Sequence, residues 1–126
     1  MALRALSAKV RGPIASLLDG APQTATMASR MRGGWTYIMT NGPHGTLYIG
    51  VTADLPARIS QHRAGTGSEF CAKYGLLRLV HAEWHEDIRD AIAREKAMKK
   101  WKRQWKLRLI RQHNPDWRDL FDDLNA

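Results

Sequence analysis

A chain of 126 residues, 44% hydrophobic and 25% charged, has the length and composition of one soluble domain with a modest core. No apolar run nears the ~18 residues that a bilayer-spanning helix needs. The single cysteine, Cys71, excludes an internal disulfide and cannot by itself build a zinc site, so no membrane role and a cytoplasmic location are expected. The formal net charge of +8 favours a polyanionic partner, because each Lys or Arg that neutralises a phosphate releases a counterion. Ribosomal and membrane-surface proteins share that balance, so charge alone decides little.

Residues 1–34 differ from the rest. They are rich in Ala, Ser, Thr, Gly and Pro, and they carry Arg4, Lys9, Arg11, Arg30 and Arg32 against one acid, Asp19. That is how a mitochondrial transit peptide looks. A disordered basic arm, a tail lost in maturation, or an upstream start codon (Met27 and Met31 lie just ahead) account for it equally, and one of these is favoured. The folded domain is expected over 35–126, with a helical tail at its end.

Trp35–Thr40 and Thr46–Thr52 are rich in β-branched and aromatic residues and flank a turn signal, Asn41-Gly42-Pro43-His44-Gly45, which predicts a hairpin. Asp54 can cap a following helix that tolerates Pro56 in its first turn. Ala64-Gly65-Thr66-Gly67-Ser68 ends that helix, a short helical piece covers Glu69–Tyr74, and Gly75 stops it. Leu76–Trp84 reads as a third strand. A long helical pattern runs from Asp87 to His113 with a break expected near Trp101–Gln104, and Asn114-Pro115 ends it. The order β-β-α-β-α-α predicts an α+β fold, a three-stranded antiparallel sheet flanked by helices.

Leu55 and Ile59 define the buried stripe of the first helix. Arg58 and His62, also four apart, sit about 60° round from it, on the border of core and solvent. A guanidinium there can hold a phosphate by two parallel hydrogen bonds, and a histidine can act as base or orient a water. By spacing alone, a surface arginine and a helix-end histidine remain the more ordinary reading. Tyr37 and Tyr48 can share one face of neighbouring strands, and singly they are more often structural. A phenol titrating near about 10 needs a cation beside it to serve as base.

On the long helix, Ile88, Ala91, Ile92, Met98, Trp101 and Trp105 form an apolar stripe, and Glu95 falls within it. A carboxylate so placed is costly unless it is paired or binds a metal. One carboxylate completed by waters and phosphates suits Mg²⁺, and a salt bridge is the bland alternative. The same helix carries ten Lys/Arg between Arg89 and Arg111, against Asp90 and Glu95 alone. That one-signed face, including Lys99, Lys100, Lys102 and Arg103, is fit to track a phosphate backbone. Trp101 and Trp105 are expected to pack rather than stack on bases.

These residues together resemble the GIY-YIG nuclease superfamily over roughly Trp35 to Leu120, and most closely its short single-domain bacterial branch. The first signature survives as Trp35-Thr36-Tyr37 and the second as Tyr48-Ile49-Gly50. Lys99-Lys100-Trp101 and the Asn-Pro-x-Trp ending also fit the branch. The resemblance implies an endonuclease that hydrolyses DNA phosphodiesters with one divalent ion, Mg²⁺ or Mn²⁺, on Glu95. Tyr37 would be the favoured base, with Tyr48 and His62 assisting and Arg58 offsetting transition-state charge. Gly50, Lys99, Lys100, Lys102, Arg103 and Asn114 would contact substrate. Val51 stands where some members have a lysine, which leaves the base open. The chain shows no appended DNA-binding domain, so structure-directed cutting of branched or damaged DNA, or help from a protein partner or dimerisation, is expected over sequence-specific cutting. A binding module of the same fold with little hydrolysis, and an interaction domain with a solvated basic helix, are the rivals. The proposed centre requires Tyr37 and Glu95 on one face of the sheet.

Overall fold

The computed structural model describes residues 33–124, so most of the N-terminal extension lies outside the described residues. Strands β1 (Gly34–Thr40) and β2 (Leu47–Thr52) form the hairpin, and helices α1 (Leu55–Arg63) and α2 (Glu69–Tyr74) follow. Strand β3 (Arg78–His85), helix α3 (Ile88–Lys99), helix α4 (Arg103–His113) and a last turn α5 (Phe121–Leu124) complete the order. The sheet is antiparallel in the order β2-β1-β3, so β1 is central and β2 is an edge. Among the described residues no helix is long and apolar enough to cross a membrane.

The caps follow the sequence signals. The Asp54 carboxylate accepts from the Ala57 amide at 3.2 Å, the Ser68 hydroxyl from Cys71, and Asp87 from Arg89, each satisfying an amide that the helix leaves unpaired. Gly75 closes α2 at φ 66°, a left-handed conformation that suits glycine. The long helical pattern does break, after Lys99, and resumes at Arg103. The break turns Trp105 outward: it is 46% exposed, whereas Trp101 packs against the core with the Arg94 guanidinium 4.9 Å above its ring. The packing expected of Trp105 is therefore corrected. A stripe read through a continuous helix loses its register once the axis changes direction.

Alternation along β1 builds two cores. Trp35, Tyr37 and Met39 point to one face, where Leu55 and Ile59 of α1, with Cys71, Leu76, Leu79 and Leu120, cover them. Ile38, with Ile49 and Val80 from its neighbours, points to the other and meets Met98, Leu109, Ile110 and Trp117. Helix α3 is tied to this second face by the Thr36 hydroxyl, which donates to the Ala91 carbonyl at 2.8 Å.

Between β3 and α3 lies a buried charged cluster. The Glu83 carboxylate takes two bonds from the Arg94 guanidinium, at 2.9 and 3.1 Å, and one from His81 Nε2 at 2.7 Å. Burial pulls the Glu83 carboxyl up, but His81, His85 and Arg94 together hold it well below the usual carboxylate range. The His113 ring sits 5.8 Å from that of His81. Burial first, and His81 second, push His113 down to about 4.

Two outcomes are expected. Tyr37 opposes Gly50 across the hairpin, and a Cβ at position 50 would lie 2.5 Å from the Tyr37 ring. Gly50→Ala should cost about 1–3 kcal/mol in urea denaturation, because the ring must move in a filled core. His113 refuses a proton when folded and accepts one near 6.5 when unfolded, so stability should fall as pH drops from about 6.5 towards about 4. His62, also pushed down by burial, adds to the slope. Thermal melts across that window should show His113→Gln with a shallower decline.

Candidate active site

The hairpin and α1 bring four of the expected side chains together. The Tyr37 ring lies across Gly50, which explains why position 50 has no side chain, and its hydroxyl meets His62 Nε2 at 2.8 Å. Tyr48, opposite Met39 rather than Tyr37, shares the face diagonally. Its ring centroid is 6.3 Å from Tyr37 and 5.5 Å from His62. Arg58, one turn before His62, reaches back to Gln61 Oε1 at 3.3 Å and the Gly67 carbonyl at 3.5 Å. His62 is fully buried, not a border residue, because the loop through Gly67 closes over it. Among the described residues its Nδ1 has no hydrogen-bond partner.

The electrostatics divide the two polar partners. Burial, followed by the neighbouring Tyr48, Cys71 and Glu95, pushes the Tyr37 phenol far above its ordinary value, and Arg58 opposes them. Tyr37 is therefore protonated at neutral pH. Burial and then Arg58 lower His62, so its imidazole is neutral there and one ring nitrogen has a free lone pair. Of the two, the histidine is the competent proton acceptor.

Glu95 departs from the expectation of a single face. Helix α3 covers the Thr36 and Ile38 side of β1, opposite Tyr37, because the Ala91 and Met98 stripe must bury Ile38 and Ile49. Arg94 leans to β3, where it binds Glu83. Glu95 is one residue further, about 100° round the helix, and so overhangs the β2 flank. Tyr37 leans towards β2 on the other face, and the Glu95 charge reaches its phenol. The Glu95 charge thus acts on the Tyr37 phenol although α3 and Tyr37 belong to different faces of β1. The Glu95 side chain is 15% exposed and forms an ion pair with the half-exposed Lys99 Nζ at 3.2 Å. Among the described residues no three His, Cys, Asp or Glu gather as a metal cage. A single sheltered carboxylate open to waters and phosphate oxygens fits Mg²⁺ or Mn²⁺.

The expected substrate contacts sort differently. Lys100 and Lys102 are exposed at the break between α3 and α4. Arg103 spends its guanidinium on the hairpin turn, donating to the His44 carbonyl at 2.7 Å and the Gly45 carbonyl at 2.6 Å. Asn114 is buried, with its amide donating to the Val80 and Arg118 carbonyls and its oxygen accepting from the Arg118 amide. That side chain has no free group for a ligand and instead holds the turn after α4. Gly50 serves the Tyr37 ring. Sequence reasoning missed the Glu83 cluster, although His81, Glu83 and His85 are spaced two apart, which puts them on one face of a strand.

A family model described as the GIY-YIG catalytic domain matches residues 33–108. UPF0213 proteins of Staphylococcus aureus, among them those of strains Mu3, N315 and MW2, are 37% identical over 68 residues. The alignment covers 54% of this chain and 83% of each relative. No solved structure matches. The paired tyrosines, the histidine and arginine of α1 and the extent of these matches agree: the chain belongs to the GIY-YIG family, whose catalytic domain implies a nuclease-type function.

Proposed function

We propose that the protein is a metal-dependent endonuclease that hydrolyses DNA phosphodiesters by in-line attack of water. The observation that carries this reading is the 2.8 Å contact of the Tyr37 hydroxyl with a buried, neutral His62, beside Arg58 and Tyr48. With the Tyr37 phenol kept protonated by burial and the His62 imidazole kept neutral, the pair is set to pass a proton inward beside the Arg58 guanidinium.

In this mechanism the substrate strand lies along the β2 edge, within reach of both faces. The attacking water gives its proton to the Tyr37 oxygen as the Tyr37 proton passes to His62 Nε2. The relay avoids a free phenolate, which burial disfavours. The water oxygen forms the new bond to phosphorus while the ester bond to the leaving strand end breaks, and solvent returns a proton to that end. Arg58 offsets the charge that builds on the phosphoryl oxygens. Glu95 would hold Mg²⁺ or Mn²⁺, which when bound supplies Lewis-acid polarisation of the phosphate. Tyr48 packs beside the pair and fixes its orientation. Lys99, Lys100 and Lys102 give the adjoining surface the charge to grip the backbone.

Incubation with plasmid, single-stranded and branched DNA, with and without Mg²⁺ or Mn²⁺, tests the activity. Glu95→Gln should abolish metal-dependent cutting and leave folding and DNA binding nearly intact, and a variant that cuts like wild type would remove Glu95 as the ligand. Arg58→Ala should slow turnover by about 10²–10³, the scale of losing one transition-state donor. Equal single-turnover rates would take Arg58 out of the reaction. Salt-dependent binding without cleavage by the wild-type chain would favour a binding module instead.

A further inference from the structure

Aromatic contacts continue outward from the tyrosine–histidine pair. Tyr48 is 5.5 Å from His62 on one side and 6.2 Å from Phe70 on the other, nearly parallel to the latter at 29°. Phe70 in turn meets Tyr74 at 4.9 Å. Both of these outer rings are exposed, 43% and 45%, although each has a large apolar face that water solvates poorly. They are four apart on α2, so they share one side of it, while Cys71, between about 60° and 100° round the helix, is buried in the core. The Lys73 ammonium stands 5.3 Å above the Tyr74 ring.

We propose that Phe70 and Tyr74 form a stacking subsite for an unstacked nucleobase beside the phosphate that is cut. The proposal rests on the nuclease reading and deepens it. Three observations choose a base over a protein partner. The strip is continuous with the proton-transfer pair through Tyr48, so an occupant extends directly from the reacting phosphate. Arg58 is tied to Gly67, just ahead of α2, which puts a phosphate-binding cation and the rings at the two ends of one short loop. The strip is two rings wide with a lysine on it, in a chain of net charge +8, a setting for a flat π-face attached to a polyanion. Base–aromatic stacking tolerates any base, whereas a duplex interior offers no free π-face. An occupant must therefore come from a single strand, a flap or a flipped nucleotide, and unstacking is cheapest where pairing is already lost.

The test uses 2-aminopurine, whose fluorescence is quenched by stacking, placed beside the cleavage position in a single strand, a flapped junction and an intact duplex. A fourth oligonucleotide is a single strand with an abasic residue there. Binding is followed by anisotropy with Ca²⁺ in place of Mg²⁺. F70L/Y74L keeps apolar bulk and removes both rings, and F70Y is the conservative control. The double variant should bind the single strand or flap about tenfold more weakly and lose the quench. It should bind the abasic strand and the intact duplex as wild type does, and F70Y should keep the wild-type signal. Loss confined to the flap, or to the single strand, identifies the source of the base.

An unchanged quench and affinity in F70L/Y74L, with wild-type cutting intact, overturns the subsite alone. So does a wild-type dimer in sedimentation that the double variant dissociates, since the rings would then cover one another. A wild-type chain that neither binds nor cuts any of these DNAs overturns the nuclease reading and the subsite with it.

Discussion

The absence of a side chain at Gly50 lets the Tyr37 ring cross from β1 onto β2, and the candidate centre depends on that crossing. With the ring in place its hydroxyl arrives at His62, and α1 must then lie at the distance that Leu55 and Ile59 set. The cost of burying two polar groups is offset by the bond between them. The second nitrogen of the imidazole has no partner among the described residues, and burial, then Arg58, keep the ring from charging. Strain is not involved. The proton affinities are set by burial and by one nearby cation.

The opposite layer treats charge in the reverse manner. Glu83 is more deeply buried than any group at the tyrosine pair, yet two guanidinium bonds and a histidine saturate it. A saturated ion cluster of this kind is inert and fixes geometry. Here it fixes Arg94, and so the rotation of α3 that brings Glu95 over the β2 flank. The two adjacent residues thus have divided duties, one locked in the interior and one at the margin with a loosely held lysine.

Local signals carried most of the architecture. The hairpin turn, the Asp54 cap, the stop at Gly75 and the break in the long helix were legible, because each is decided within a few residues of chain. The pairing of Tyr37 with His62 was legible only as a possibility of spacing, since nothing local says that the Gly67 loop will close over the histidine. Glu95 was legible as part of a sheltered stripe, but the surface that the stripe lies against was not, for a related reason. A helix stripe says that a side is buried but not against which surface, and only the two-sided core of β1 decides it. Asn114 shows the same limit: a polar residue at a helix end reads alike whether its amide meets backbone or ligand.

Arg103 has a structural consequence beyond its own two bonds. By holding the carbonyls of the hairpin turn it fastens the start of α4 to the strands that carry Tyr37 and Tyr48. The hairpin and the basic helix are thereby braced at the end remote from Gly34. The basic face of α4 is therefore set at a fixed offset from the two tyrosines, so one turn of backbone carbonyls governs the spacing of two distant surfaces.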